Sequence, residues 1–246
     1  MFILVLFNIF SLSAYAAERV HLVADNFPPY IDQNTNNKGI ITEVVRTAFL
    51  KQNIETHLEI LSWSDSENQV AKNNKFSFMW TKNVERMQHW IFSDPIYYAK
   101  QIIIAKRTSD FYWKRLDELR NYKLGVTKGH NYGERFNDYK NHLTLIESVS
   151  DFISIKRLSE NQFDGAVIEK LMGHFLLSYY NDNIQSKIEF INTPVLDTEP
   201  SYLVCSKFNA KCFSYIEIFN KGLKLLKSSG DYDRIINASI SKFSNN

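Results

Sequence analysis

One arginine, Arg86, lies in an aromatic-rich stretch, residues 80–98 (WTKNVERMQHWIFSDPIYY). A guanidinium presents a planar fork of donors matched to a carboxylate. Aromatic walls beside it, Trp80 among them, would suit a small organic anion or zwitterion. The alternative is an ordinary loop whose Arg86 pairs with a surface acid, since most arginines are solvated. Two further places carry compatible chemistry. In Thr127-Lys128-Gly129-His130-Asn131-Tyr132 a glycine turn leads into a helix start, and free backbone N–H groups there suit a carboxylate. Glu169 ends an apolar run directly before a helix, where its carboxylate either opposes a ligand cation or stabilises the helix N-terminus. Phe27 and Tyr30 flank Pro28-Pro29, which forbids helix and forces an extended turn. Tyr30 either faces a ligand from that turn or tucks onto the core.

Other chemistries are poorly served. The six histidines are scattered without HxH or HExxH spacing, so no metal site is expected, and no cofactor motif is present. The net charge is only +2 with interspersed signs, which argues against nucleic acid as a partner. Cys205 and Cys212 flank six residues and form either a short disulfide staple or two free thiols. At the start, an apolar stretch (FILVLFNIF) precedes Ala14-Tyr15-Ala16, which fits the small-x-small rule of signal peptidase. It is shorter than the ~20 residues that span a bilayer. The reading is a signal peptide over residues 1–16, cleaved after Ala16, and a mature periplasmic protein.

The elements that must position these residues alternate. Residues 19–24 read as a strand, 39–51 as a helix with Ile41, Val44, Val45, Ala48 and Phe49 on one face, and 56–61 as a strand. A polar helix (65–73) and a short apolar strand (76–80) complete a β-α-β-α-β unit. Residues 96–106 (IYYAKQIIIAK) are the strongest β signal, with 101–106 read as a crossover between units, after which 122–126 starts a new unit. Strands at 143–148, 163–169 and 188–191 alternate with helices at 151–158 and 171–180. Residues 201–204 read as a second crossover, followed by an amphipathic helix (213–226) and a last helix from Asp231. Ligands of open α/β sheets bind at the C-terminal strand edge, and Phe27, Trp63, Trp80, Arg86 and Glu169 collect there.

In this order the chain resembles the family 3 extracellular solute-binding proteins, the periplasmic receptors for polar amino acids. The marks are Asp25…Pro29-Tyr30, Gly39…Glu43, Glu85-Arg86…Phe92-Ser93-Asp94-Pro95…Tyr98, Gly125-Val126…Gly129, Phe163-Asp164-Gly165-Ala166 and Phe219-Asn220…Gly222-Leu223…Gly230. The resemblance implies an α/β, type II periplasmic-binding-protein fold whose two lobes are joined by two hinge strands. Lobe 1 would comprise 17–102 and 202–246, and lobe 2 would comprise 103–201. It further implies Arg86 and the donors near His130 and Asn131 on a ligand carboxylate, Glu169 on the amine, and Phe27 covering the ligand. Tyr30, Trp80, Thr81 and Thr127 complete the expected ligand-binding set.

The chain departs from the family pattern at Asn74-Lys75-Phe76-Ser77, where Gly-x-x-Asp is usual, and at Phe78-Met79-Trp80-Thr81, where small serine-rich and threonine residues are usual. Thr81 also stands two residues further from Arg86 than the usual threonine. The expected function is capture of a small zwitterion or carboxylate by a monomeric, non-enzymatic protein serving an inner-membrane ABC permease. The alternatives are a periplasmic dehydratase on the same fold, with Glu169 or His130 as general acid, and a ligand-sensing module without a transport role.

Overall fold

Alternating and β-branched runs form strands, and apolar stripes at helical spacing form helices. The structure is a computed structural model and describes residues 19–72, 75–192 and 194–244. The expected signal peptide and Asn74 lie outside the described residues. The chain begins β1 (Arg19–Ala24), α1 (Ile40–Leu50), β2 (Glu55–Ile60), α2 (Trp63–Lys72) and β3 (Phe76–Trp80). Next come α3 (Val84–His89) and β4 (Trp90–Phe92), neither legible in the sequence, and then the long β5 (Tyr97–Lys106). The second unit is β6 (Lys123–Thr127), α4 (Glu134–Tyr139), β7 (Thr144–Ser148), α5 (Asp151–Ser159) and β8 (Gly165–Glu169). It continues with α6 (Lys170–Leu177), α7 (Asp182–Gln185) and β9 (Ile188–Ile191). β10 (Asp197–Ser206) returns to the first unit, which α8 (Cys212–Ser228) and α9 (Asp231–Ser244) complete.

The strand order is β2-β1-β3-β10-β5-β8-β6-β7, with β4 on β10 and β9 on β5. β1 pairs in parallel with β2 and β3, and β6 in parallel with β7 and β8. β5 and β10 pair antiparallel with each other at the centre. Each then diverges, β10 toward β3 and β4, β5 toward β8 and β9. They are the two crossovers that join two α/β lobes, and β10 begins four residues earlier than the sequence predicts. On β5 the crossover ribbon is 97–101, because the expected stretch 101–106 pairs with β8 and β9 inside the second lobe.

The apolar run Ile102-Ile103-Ile104-Ala105 is buried on both faces. Ile102 and Ile104 pack with Ile155, Leu158 and Ile168, while Ile103 and Ala105 pack with Trp113, Leu124 and Phe136. Burial on both sides explains why this strand reads as continuous apolar sequence with no alternation. In the first lobe, α1 and α8 meet through Phe49 and Phe219, whose ring centroids lie 5.1 Å apart. Cys205 and Cys212 are bridged, tying the end of β10 to the start of α8 with a Cα separation of 5.7 Å.

Candidate functional site

A cavity of about 250 Å³ lies where the two lobes meet the hinge strands. The first lobe contributes Phe27, Tyr30, Met79 and Thr81, and the hinge strands Ala99, Gln101, Glu199 and Ser201. The second lobe contributes His130, Asn131, Tyr132, Asp151, Glu169 and Met172. Strand alternation supplies the hinge set. Ala99 faces Glu199 and Gln101 faces both Asp197 and Glu169 across the ladder, so their side chains share one face of the ribbon.

The Pro28-Pro29 turn is held by main-chain bonds. Phe27 and Ile31 pair, and the N–H groups of Ile40 and Ile41 at the start of α1 donate to the carbonyls of Pro29 and Tyr30. Gly39 makes this docking possible. Its φ is +98°, and a Cβ there would meet the Tyr30 carbonyl oxygen at 2.5 Å. Phe27 remains 39% exposed at the rim, 5.1 Å from the Tyr30 ring.

Glu169 stands where the cavity wall meets a helix start. It caps α6 by accepting from the Met172 N–H at 2.8 Å, and it faces the cavity. The Tyr30 hydroxyl donates to its Oε2, and the Tyr97 hydroxyl to its Oε1 at 2.7 Å. Burial, then the charge of Glu169, holds both phenols far above the ordinary tyrosine range, so both remain donors at neutral pH. One carboxylate thus joins the first-lobe turn, a hinge strand and the second lobe.

Asp151 is 11% exposed at its side chain, accepts from the Thr127 hydroxyl and lies 3.5 Å from His130 Nδ1. Burial raises its pKa, while Thr127 and His130 pull it back. The Tyr132 hydroxyl accepts from the Thr127 N–H at 2.6 Å, and burial pushes its pKa up to about 12. Glu199 is half-buried, and burial, with Asp197 adding repulsion, raises its pKa. Among the described residues no side chain or backbone N–H hydrogen-bonds or ion-pairs with the Glu199 carboxylate or the Gln101 side-chain amide, although Gln101 is 7% exposed.

Of the expected ligand-binding set, Phe27, Tyr30, Thr81, His130, Asn131 and Glu169 line the cavity, and Trp80, Arg86 and Thr127 do not. Trp80 is buried, donates from Nε1 to Ser77 Oγ at 2.7 Å and makes edge contacts with Trp63 and Trp90. The reason is local: Met79 has φ +67° where the β3–β10 pairing slips, so Met79 faces the cavity and Trp80 turns into the core. The Arg86 guanidinium lies 4.6 Å over the Trp80 ring, donates to the Thr81 carbonyl at 3.3 Å and has Glu67 at 3.9 Å. Thr127 is spent on orienting Asp151 and Tyr132.

Sequence reasoning missed Met79, Ala99, Gln101, Tyr132, Asp151, Met172, Glu199 and Ser201. Period-2 spacing in the two crossovers (Ala99/Gln101, Glu199/Ser201) could have found four of them. Asp151 also stands just past the C-terminal end of β7, a ligand-edge position. Nothing in the sequence marks Met79.

Solved structures share this architecture. The substrate-binding domain 2 of GlnP from Lactococcus lactis, in an open conformation, superposes with a TM-score of 0.71 at 18% identity, over 90% of this chain and 95% of that one. The unliganded, open L-cystine solute receptor of Neisseria gonorrhoeae gives 0.72 at 16% identity, over 89% and 92%. An arginine transport-system periplasmic binding protein from Legionella pneumophila gives 0.61 at 19%, over 91% and 100%. No curated protein sequence matches the chain. The family model of the bacterial extracellular solute-binding proteins, family 3, matches residues 20–241. With that match over nearly the whole chain and a type II binding fold with a cavity lined from both lobes, the protein belongs to the bacterial extracellular solute-binding proteins, family 3.

Proposed function

We propose that this protein captures a small, amine-bearing solute of amino-acid size between its lobes, outside the inner membrane, and presents it to an ABC-type permease. The observation that carries the reading is the cavity itself, built from both lobes and both hinge strands. A solute in it would touch every part that a hinge motion rearranges, so binding would favour the closed state. Glu169, Asp151 and Glu199 supply the negative side for the amine, and Phe27, Tyr30 and Tyr132 the aromatic walls. Structural neighbours named for an amino acid ABC transporter and for an arginine transport system support the solute size and the permease, and the Ala14-Tyr15-Ala16 motif supports export with cleavage after Ala16.

The moving bodies would be near the predicted lobes, with residues 97–101 and 197–201 as the ribbon between them. A thermal-shift screen of the mature protein against amino acids, amines and organic acids tests the reading, because a ligand that binds only the folded protein raises its melting temperature. At least one amine-bearing compound should raise it, and Phe27→Ala should weaken that compound about tenfold without lowering the melting temperature of the free protein. A screen in which no amine-bearing compound stabilises the protein rejects the reading.

A further inference from the structure

Building on the reading of this cavity as the solute site, we propose that its preferred solute is a small organic cation without a carboxylate, an alkyl or aralkyl amine in place of an amino acid. Asp151, Glu169 and Glu199 line the cavity, and among the described residues no lysine or arginine does. The one basic side chain there, His130, faces Asp151 at 3.5 Å.

The two groups best suited to an incoming carboxylate are already engaged. Arg86 lies over Trp80 outside the cavity and donates to the Thr81 carbonyl. At the start of α4, the Arg135 N–H donates to the Asp197 carboxylate at 3.0 Å, and the same carboxylate covers Gly133 so closely that a Cβ on that glycine would collide with it. Asp197 thus covers the start of α4 with a carboxylate of the protein itself.

What remains open in the cavity accepts positive charge. The Glu199 carboxylate and the Gln101 amide, the latter more than nine-tenths buried, point chemistry at the cavity without a partner of their own among the described residues. An ammonium between them donates to both and offsets the repulsion that Asp197 exerts on Glu199. Phe27, Tyr30 and Tyr132 offer ring faces that attract a cation, and Met79 and Met172 add soft apolar surface for its carbon chain. A carboxylate on the same solute would be desolvated beside three acids with no cation to receive it.

Isothermal titration calorimetry on the mature protein with matched pairs tests this: cadaverine against lysine, agmatine against arginine, histamine against histidine, and tyramine against tyrosine. The expected result is that at least one amine binds tenfold or more tightly than its amino acid. Glu199→Gln should then weaken that amine tenfold or more while the melting temperature of the free protein holds or rises. If an amino acid binds as tightly as its decarboxylated partner, or an organic acid without an amine binds, the cation-only inference is overturned. An amino acid that binds leaves the amine-capture reading standing, whereas an organic acid as sole ligand removes both. Silence from all eight compounds also rejects both.

Discussion

Arg86, the residue that the sequence makes most conspicuous, sits beside the cavity and not in it, and acids set the cavity's character. A guanidinium gains as much from lying on an indole as from pairing with an acid, and here Trp80 lies within reach of the first turn of α3. Arg86 therefore stiffens the strand end that carries Thr81, and Arg86→Ala should lower stability by about 1 kcal/mol, read by urea unfolding. The acids predict a pH dependence with two opposite signs. Burial raises Asp151 and Glu199 in the free protein, so each prefers its protonated form when folded. Their contribution to stability is fully present below the unfolded carboxylate pKa and is lost as the pH rises through the raised folded values. A bound cation competes with those protons. Its affinity should fall as the pH is lowered toward the raised values, and calorimetry across a pH series should show protons released on binding.

At the scale of elements, the lobes are held to the hinge by a few defined bonds. The Tyr30 hydroxyl reaches Glu169 from the first lobe, and the Tyr97 hydroxyl reaches it from β5. Hydrogen bonds to a charged group contribute roughly 1.5–3 kcal/mol, so Tyr30→Phe should remove about that much from the closed arrangement. The measurement is small-angle scattering with saturating ligand, where the variant should need a ligand concentration tenfold or more higher to reach the compact form. The Cys205–Cys212 bridge acts within one lobe, closing a short loop between β10 and α8. A chain-entropy estimate for so short a loop is about 2–3 kcal/mol. Cys205→Ser with Cys212→Ser should therefore lower the melting temperature by about 5–10 °C for a protein of this size while leaving solute affinity within twofold.

At the scale of the whole molecule, a central ribbon of two strands carries a lobe on each side, and the proposed capture would use it as the hinge for closure over the cavity. Export follows from the first residues if the small-x-small motif is used, and N-terminal sequencing of the mature protein should begin at Ala17. An intact N-terminus on the exported protein would reject that cleavage site.

Much of this architecture is local physics and was open to reading. Period-2 runs, helical apolar stripes, the Pro28-Pro29 turn and the long apolar β5 follow from propensity and burial pattern, and so did the order of two α/β units with crossovers between them. The site followed where a residue stands at a strand end, as Glu169 does, or on a rigid turn, as Phe27 and Tyr30 do. Tertiary structure alone decided the rest. A slip in the β3–β10 register exchanged Met79 for Trp80 at the wall, a neighbouring indole drew Arg86 aside, and Asp197 reached across to the start of α4. The Met79 and Asp197 outcomes depend on which segment from far along the chain lies alongside, and such partners leave no trace in the spacing of either one. Arg86 and Trp80, by contrast, share one stretch, and only the path of the chain into α3 decides that they stack.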